Sequence, residues 1–327
     1  MKPAVIITCG DPLGIGPEIV VKALKSNRIR KLCAPVLIGE EKTLLKTGWT
    51  NSLAPLLPIR LPGLNLRIRK PDKIAGLISY KAAHLAVRLA LSGKIPVVTA
   101  PISKQSWRLA GIPFTGHTEL LKTFAEKEPL MMFVARSLKA ALVTEHLAVK
   151  ALSGKITKRL IVAKCRIFAS ALKKVDCINN PNIGICGLNP HSGDRGLMGN
   201  EEIKTLIPAI NFLRKRYGIN AKGPLPPDQA WLEHMTGKHD GILCMYHDQA
   251  VNPIKIAAGA HRVVHYTAGL PFTRTSPAHG TAFDIAGKNA ANPSSMIEAI
   301  IFACALSKSD MAFTPDPSDL EKFIKKI

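Results

Sequence analysis

Three histidines each follow a separate apolar run: His146 after Ala141-Leu142-Val143-Thr144-Glu145, His191 after Ile183-Gly184-Ile185-Cys186-Gly187-Leu188-Asn189-Pro190, and His247 after Ile242-Leu243-Cys244-Met245-Tyr246. One histidine at a strand end is more often a hydrogen-bonded structural residue than a ligand. Three in equivalent positions predict a divalent ion, because three imidazoles leave one coordination position open, the layout of a catalytic site. They stand 45 and 56 residues apart, which rules out a local ligand motif, so only the fold can gather them. Asp248, beside His247, is placed to orient a ligand, to bind substrate or to cap the next turn. Neutral imidazole is the form that binds metal, so activity is expected to fall below a pH of about 6.5.

Other segments point to anion and dinucleotide chemistry. Gly116-His117-Thr118-Glu119 opens a helix, with Thr118 as a candidate N-cap and free backbone N–H groups directed at any anion placed there. Lys255 and Arg274 lie beyond the third histidine and are candidates for clamping that anion. In His279-Gly280-Thr281-Ala282-Phe283-Asp284, followed by Ala291-Asn292-Pro293, a tight turn with small neighbours lets a planar ring lie on backbone. A nearby acid can then accept hydrogen bonds from ribose hydroxyls. The first loop, Gly10-Asp11-Pro12-Leu13-Gly14-Ile15-Gly16, also permits close approach, but its glycines do not have the G-x-G-x-x-G spacing.

The elements that must position these residues alternate along the chain. Val5–Thr8 reads as a strand leading through the glycine loop into a helix with Pro17 and Glu18 in its first turn. A helix is expected from Ser79 to Leu91, a strand from Ile95 to Ala100, helices near 118–126, 155–173, 200–216 and 294–308, and strands ending at the three histidines. Such alternation predicts a mainly parallel α/β sheet flanked by helices, with ligands just beyond the carboxyl ends of the strands.

The 327 residues exceed the usual single core and predict two lobes. With 46% hydrophobic and 21% charged residues, the composition is that of a globular protein. A net charge of +22 invites a nucleic-acid reading, but the basic residues come in short groups spread along the chain and aromatics are only 5%. No nucleic-acid partner is expected; a basic nucleic-acid-binding metalloprotein is the alternative from outside the enzymes. Seven cysteines, odd in number and without a C-x-x-C pair, fit reduced thiols in a cytoplasm. No signal-peptide layout and no apolar stretch of the roughly 20 residues a bilayer requires is present, so no membrane is expected.

The opening Gly14-Ile15-Gly16-Pro17-Glu18 and His279-Gly280-Thr281-Ala282-x-Asp284-Ile285-Ala286-Gly287 resemble the β-decarboxylating dehydrogenases. The whole chain is more similar still to the 4-hydroxythreonine-4-phosphate dehydrogenase family. The matching segments include Thr99-Ala100-Pro101-Ile102-Ser103-Lys104, Gly111-Ile112-Pro113-Phe114-Thr115-Gly116-His117-Thr118-Glu119, Asn189-Pro190-His191-Ser192-Gly193-Asp194, Tyr246-His247-Asp248-Gln249 and Leu270-Pro271-Phe272-x-Arg274-Thr275-Ser276. This resemblance implies an isocitrate/isopropylmalate dehydrogenase-like α/β fold, with the active site in the cleft between two lobes. The expected lobes are 1–130 with 255–327 for the cofactor, and 131–254 for metal, substrate and dimerisation.

It also implies NAD or NADP as cofactor, with Gly14, Gly16, His279, Gly280, Thr281, Asp284 and Asn292 as its site. One divalent ion (zinc, magnesium or cobalt) would sit on His146, His191 and His247. His117, Thr118, Lys255 and Arg274 would hold a small phosphorylated substrate, largely by its phosphate. Asp248, Asp228 and Lys104 are candidates for binding the amino group or moving the hydroxyl proton. A homodimer with its active sites at the interface is implied, with His247 expected from the second subunit. The implied reaction is oxidation of 4-phosphohydroxy-L-threonine at C3, then decarboxylation to 3-amino-2-oxopropyl phosphate in pyridoxal phosphate biosynthesis. The chain departs from the family pattern at His265, where asparagine is common in the substrate set, and at Ala278, where an acid is usual. The segment 40–75 is also shorter. These departures leave open a threonate or erythronate 4-phosphate, or a dihydrodiol carboxylate, as substrate.

Overall fold

A computed structural model describes residues 2–125 and 128–308. In chain order its strands are β1 (Ala4–Thr8), β2 (Ala34–Gly39), β3 (Leu56–Pro58), β4 (Val97–Thr99), β5 (Leu130–Ala135), β6 (Leu138–Leu142), β7 (Ile183–Cys186), β8 (Ala221–Leu225), β9 (Gly241–Cys244), β10 (Val264–Ala268) and β11 (Arg274–Pro277). The chain divides into two compact units, 1–128 with 270–327, and 129–269. The second boundary therefore falls after β10, not at 254/255. A cut at 254 would have severed the helix His247–Ala258, and Lys255 and His265 belong to the second unit.

In the first unit the strands run β3-β2-β1-β4-β11, all parallel. β1 is buried along its whole length, as a continuous apolar run must be when helices cover both faces of a parallel sheet. Ile6, Val36, Ile38 and Val97 pack against Ala82, Ala86 and Leu89 of the helix Lys73–Gly93. That helix starts earlier than the apolar spacing alone predicts because Asp72 caps it, accepting from the Ala75 amide at 2.9 Å. It is also long and apolar enough to cross a membrane, yet its apolar positions are spent inside this unit's core.

The second unit has the order β10-β5-β6-β9-β7-β8; β5 is antiparallel to both neighbours and the other pairs are parallel. Its helix Lys158–Asp176 is capped by Thr157 and buries Ile161, Cys165, Phe168 and Leu172. Phe168 lies so close to β9 that a Cβ at Gly241 would stand 2.6 Å from the ring. Pro208 opens the helix Ile207–Tyr217, and Gly218, left-handed at φ 63°, ends it.

Two local expectations are corrected. The helix near 118–126 is only His117–Lys122, and its N-cap is Gly116; Thr118 lies inside the first turn and caps nothing. The segment 200–216 is not one regular helix but a π-helical turn, Glu202–Leu206, running into Ile207–Tyr217. The strands stop three to five residues short of the histidines: beyond their carboxyl ends His146 stands on a loop, His191 in the turn Pro190–Gly196 and His247 at the first position of the helix His247–Ala258.

Candidate active site

In the second unit, β6 and β9 are adjacent parallel strands, so the loops that leave them carry His146 and His247 side by side. Their ring centroids are 5.4 Å apart with planes 39° off parallel. His247 is the first residue of the helix His247–Ala258, and its Nδ1 lies 2.7 Å from Asp248 Oδ1. With Nδ1–H donated to that carboxylate, Nε2 is left as the ligand atom, the usual arrangement behind a metal-bound imidazole. Donor type, ring separation and the orienting acid fit a divalent ion. Among the described residues, however, no three His, Cys, Asp or Glu side chains of one chain are grouped closely enough to hold one. His146 and His247 form a pair, and His191 stands apart from it.

His191 opens an unusual backbone run. His191, Ser192, Asp194 and Arg195 have φ of 50°, 54°, 40° and 56°, and Gly193 between them has 79°. Each non-glycine residue held there costs roughly 1–2 kcal/mol, so the surroundings must hold the loop. Glu202, buried on the π-helical turn, does so: Oε1 accepts from the Leu188 and Asn189 amides at 2.8 Å each, and Oε2 accepts from Asn189 Nδ2 at 2.9 Å. A Cβ at Gly193 would stand 2.6 Å from Glu202 Oε2, so only glycine fits. Gln249 ties the His247 loop to the His191 loop: its Oε1 accepts from Met245 N and its Nε2 donates to Gly187 O. Neither Glu202 nor Gln249 stands out in the sequence as a site residue. The signal available was Gln249 within the Tyr246-His247-Asp248-Gln249 match.

β10 pairs His265 with Phe133, whose ring lies 5.5 Å from it and meets His247 edge-on at 6.4 Å. His265 is thus separated from the His146–His247 pair by one aromatic ring. Lys255 lies eight residues beyond His247 on the same helix, about 12 Å along its axis. Asp228 is exposed in the first turn of the helix Pro227–Met235.

The first unit holds two further groups. Arg274, at the start of β11, is 2% exposed; its Nη2 donates to Thr99 Oγ1 at 2.6 Å, and burial lowers its pKa to about 9. Burial first, and then the Arg274 charge, hold His117 neutral well below the usual imidazole value. The His117 ring stands edge-on to Trp107. Lys104 begins a short helix capped by Ser103, and its chain passes beside Gly116, where a Cβ would lie 3.6 Å from Cε. A buried guanidinium with a neutral imidazole beside it suits a phosphate or carboxylate. Arg274, His117 and Lys104 are therefore neighbours; Thr118 adds only its place in the turn.

The glycine loop and the 279–292 segment also meet. The Ile15 amide donates to Thr281 O at 2.9 Å, and a Cβ at Gly14 would stand 2.9 Å from that same oxygen. Gly16 is as constrained, since a Cβ there would collide with Cys9 O. Lys22 donates to Asn289 O and Ala291 O, Glu18 accepts from the Ala291 amide, and Arg69 Nε donates to Ala286 O. Asp11 knots the loop to the Lys104 helix by accepting from the Leu13 amide at 3.0 Å and from Ser106 Oγ at 2.8 Å. Burial pushes its carboxyl up to about 6. His279 Nδ1 lies 3.1 Å from Gly280 O, Asp284 is exposed, and Asn292 caps the helix Ser294–Lys308 through the Ser294 amide. Gly14, Gly16 and Thr281 thus line up as one backbone cradle, whereas Asn292 is engaged as a cap.

A parallel α/β sheet with a dinucleotide-type cradle in one unit and a histidine pair in the other defines a dehydrogenase-like protein, and sequence comparison resolves the family. The profile described as pyridoxal phosphate biosynthetic protein PdxA matches residues 24–303, and the chain belongs to that family of dehydrogenases. It is 37% identical to the 4-hydroxythreonine-4-phosphate dehydrogenase of Synechocystis sp., covering 93% of this chain and 95% of that protein. It is 34% identical to a Clostridium botulinum protein provisionally named D-threonate 4-phosphate dehydrogenase, over 94% of this chain and 97% of that one. Among solved structures, the 4-hydroxythreonine-4-phosphate dehydrogenase of Klebsiella pneumoniae superposes with a TM-score of 0.82 at 31% identity, covering 94% of this chain and 98% of that one.

Proposed function

We propose that this chain oxidises 4-phosphohydroxy-L-threonine at C3 with NAD or NADP, and that the resulting β-keto acid loses CO2 to give 3-amino-2-oxopropyl phosphate, a step of pyridoxal phosphate synthesis. The observation that carries the reading is the His146–His247 pair with Asp248 behind it, in a chain aligned over nearly its whole length with named 4-hydroxythreonine-4-phosphate dehydrogenases. When bound, a divalent ion such as zinc, magnesium or cobalt stabilises negative charge as the hydroxyl loses its proton and as CO2 departs. Asp248 keeps His247 in the ligating tautomer. Arg274 and His117 hold the phosphate, neutral His117 serving as a hydrogen-bonding partner and Arg274 as the charge. Gly14, Gly16 and Thr281 admit the dinucleotide against backbone. Lys104, Asp248 and Asp228 remain the candidates for the hydroxyl proton; Lys104 is favoured by the passage of its chain beside Gly116, next to the proposed anion site.

The enzyme is proposed to work as a homodimer in which the ion is held by His146 and His247 of one subunit and His191 of the other. His191 thereby takes the cross-subunit place that the resemblance implied for His247, a reading supported by the 5.4 Å between the His146 and His247 rings. Both His146 and His191 are exposed, and beside them Val149 and Leu197 are 79% and 85% exposed, apolar surface suited to a subunit contact. A second reading, a threonate 4-phosphate as substrate, is favoured by His265 on Phe133 next to His247. Initial rates of nicotinamide reduction with the two substrates decide between them. Faster turnover of 4-phosphohydroxythreonine is expected; faster turnover of threonate 4-phosphate would replace the first reading with the second.

A further inference from the structure

The positive charge is not spread evenly once the chain is folded. Segments 147–175 and 203–222 contain thirteen lysines and arginines and no aspartate or glutamate, leaving only nine of the +22 to all other residues. These segments supply the packed helices Lys158–Asp176 and Ile207–Tyr217. On the first, Arg159, Arg166 and Lys173 are exposed at seven-residue intervals, so they line one face roughly 10 Å apart. On the second, Phe212 and Tyr217 are exposed and meet edge to face at 5.9 Å. Lys158 stands 4.8 Å over the Phe212 ring, and Arg166 stands 4.3 Å over Tyr217, with Arg216 at 5.9 Å.

We propose that this helix face binds single-stranded nucleic acid. A row of cations with no interleaved acid recovers its mutual repulsion only against a polyanion, and a phosphodiester backbone supplies regularly spaced charge. Cations stacked on exposed rings add flat surfaces on which bases can lie, a feature that neither an acidic polypeptide nor a lipid headgroup would use. A second copy of this chain is a poor occupant, since the face would meet its own charge. The face uses none of the residues assigned to catalysis, cofactor or metal.

The test is fluorescence anisotropy of a labelled twenty-nucleotide single-stranded RNA titrated with the full-length protein. Engagement of five cations (Lys158, Arg159, Arg166, Lys173 and Arg216) predicts that affinity falls roughly 100-fold between about 50 and 200 mM salt. Two charge-reversed variants, Arg159→Glu with Lys173→Glu, and Arg166→Glu with Arg216→Glu, are each expected to weaken binding at least about tenfold. The first pair touches no ring, so it should melt at the wild-type temperature and keep the test valid if the second pair misfolds. Absence of binding at the lower salt, equal binding by wild type and the first variant, or tighter binding of polyglutamate or anionic vesicles than of the RNA would overturn the proposal.

Discussion

At the scale of single residues, the site rests on side chains whose environments fix their protonation or orientation. Asp248 matters through His247, by holding Nδ1 and leaving Nε2 to ligate. Asp248→Ala is expected to lower metal affinity about 10- to 100-fold with little change in the KM for cofactor, measured as metal-to-protein ratio after dialysis against a weak chelator. Asp11 gives a prediction about pH. Its folded pKa, about 6, lies above the ordinary aspartate value of 3.8, so between those values the folded state keeps a proton that the unfolded chain has released. Stability therefore falls as pH rises through that window. Asp11→Asn removes the titration, so its melting temperature relative to wild type should be higher at pH 8 than at pH 5; the same difference at both pH values would show that Asp11 does not titrate there. His146, His191, His247 and Asp248 could be singled out in the sequence because the chemistry proposed for them is carried by residue type. Glu202 and Asp11 were not, because buried carboxylates that bind backbone amides declare themselves only through contacts distant in sequence.

At the scale of elements, the strands and the two long helices followed from apolar runs and from period, as in β1 and in Ser294–Lys308, which matches its expected bounds. The short loops did not. Four left-handed non-glycine residues at 191–195 and the π-helical turn behind them contradict every local preference; they are imposed by Glu202 and by the contact of Gly187 with Ser192. Such strain at a candidate ligand is what a functional loop retains. Thr118 reads as a cap by type, yet Gly116, at φ 158°, takes that place. The glycine loop gives the element-scale prediction. A valine at Gly14 would drive its Cβ into Thr281 O, prising apart the two segments proposed to hold the cofactor. Gly14→Val should raise the KM for NAD or NADP at least about tenfold while metal content stays at the wild-type level. A rise confined to the KM for the phosphorylated substrate would show that the cradle holds something other than dinucleotide.

At the scale of the molecule, the distribution of charge and the proposed dimer both exceed what a linear reading can supply. Basic residues that look scattered along the chain fall on one helix layer, because two acid-free segments about 30 residues apart pack together. Among the described residues no three candidate ligands gather within one chain, and the proposed sharing of His146, His247 and His191 between subunits is testable by mixing. His146→Ala and His191→Ala should each be inactive alone, and a refolded mixture should regain up to about a quarter of wild-type activity, because a mixed dimer assembles one intact site. If all three ligands came from the same chain, mixing would restore nothing. The most direct measurement is nicotinamide reduction with 4-phosphohydroxythreonine by protein stripped with a chelator, dialysed, and then given zinc, cobalt or magnesium in turn. Loss of turnover on stripping and its return with at least one ion is the expected result. An undiminished rate in protein shown to be metal-free would contradict the assignment of His146, His191 and His247 to a catalytic ion.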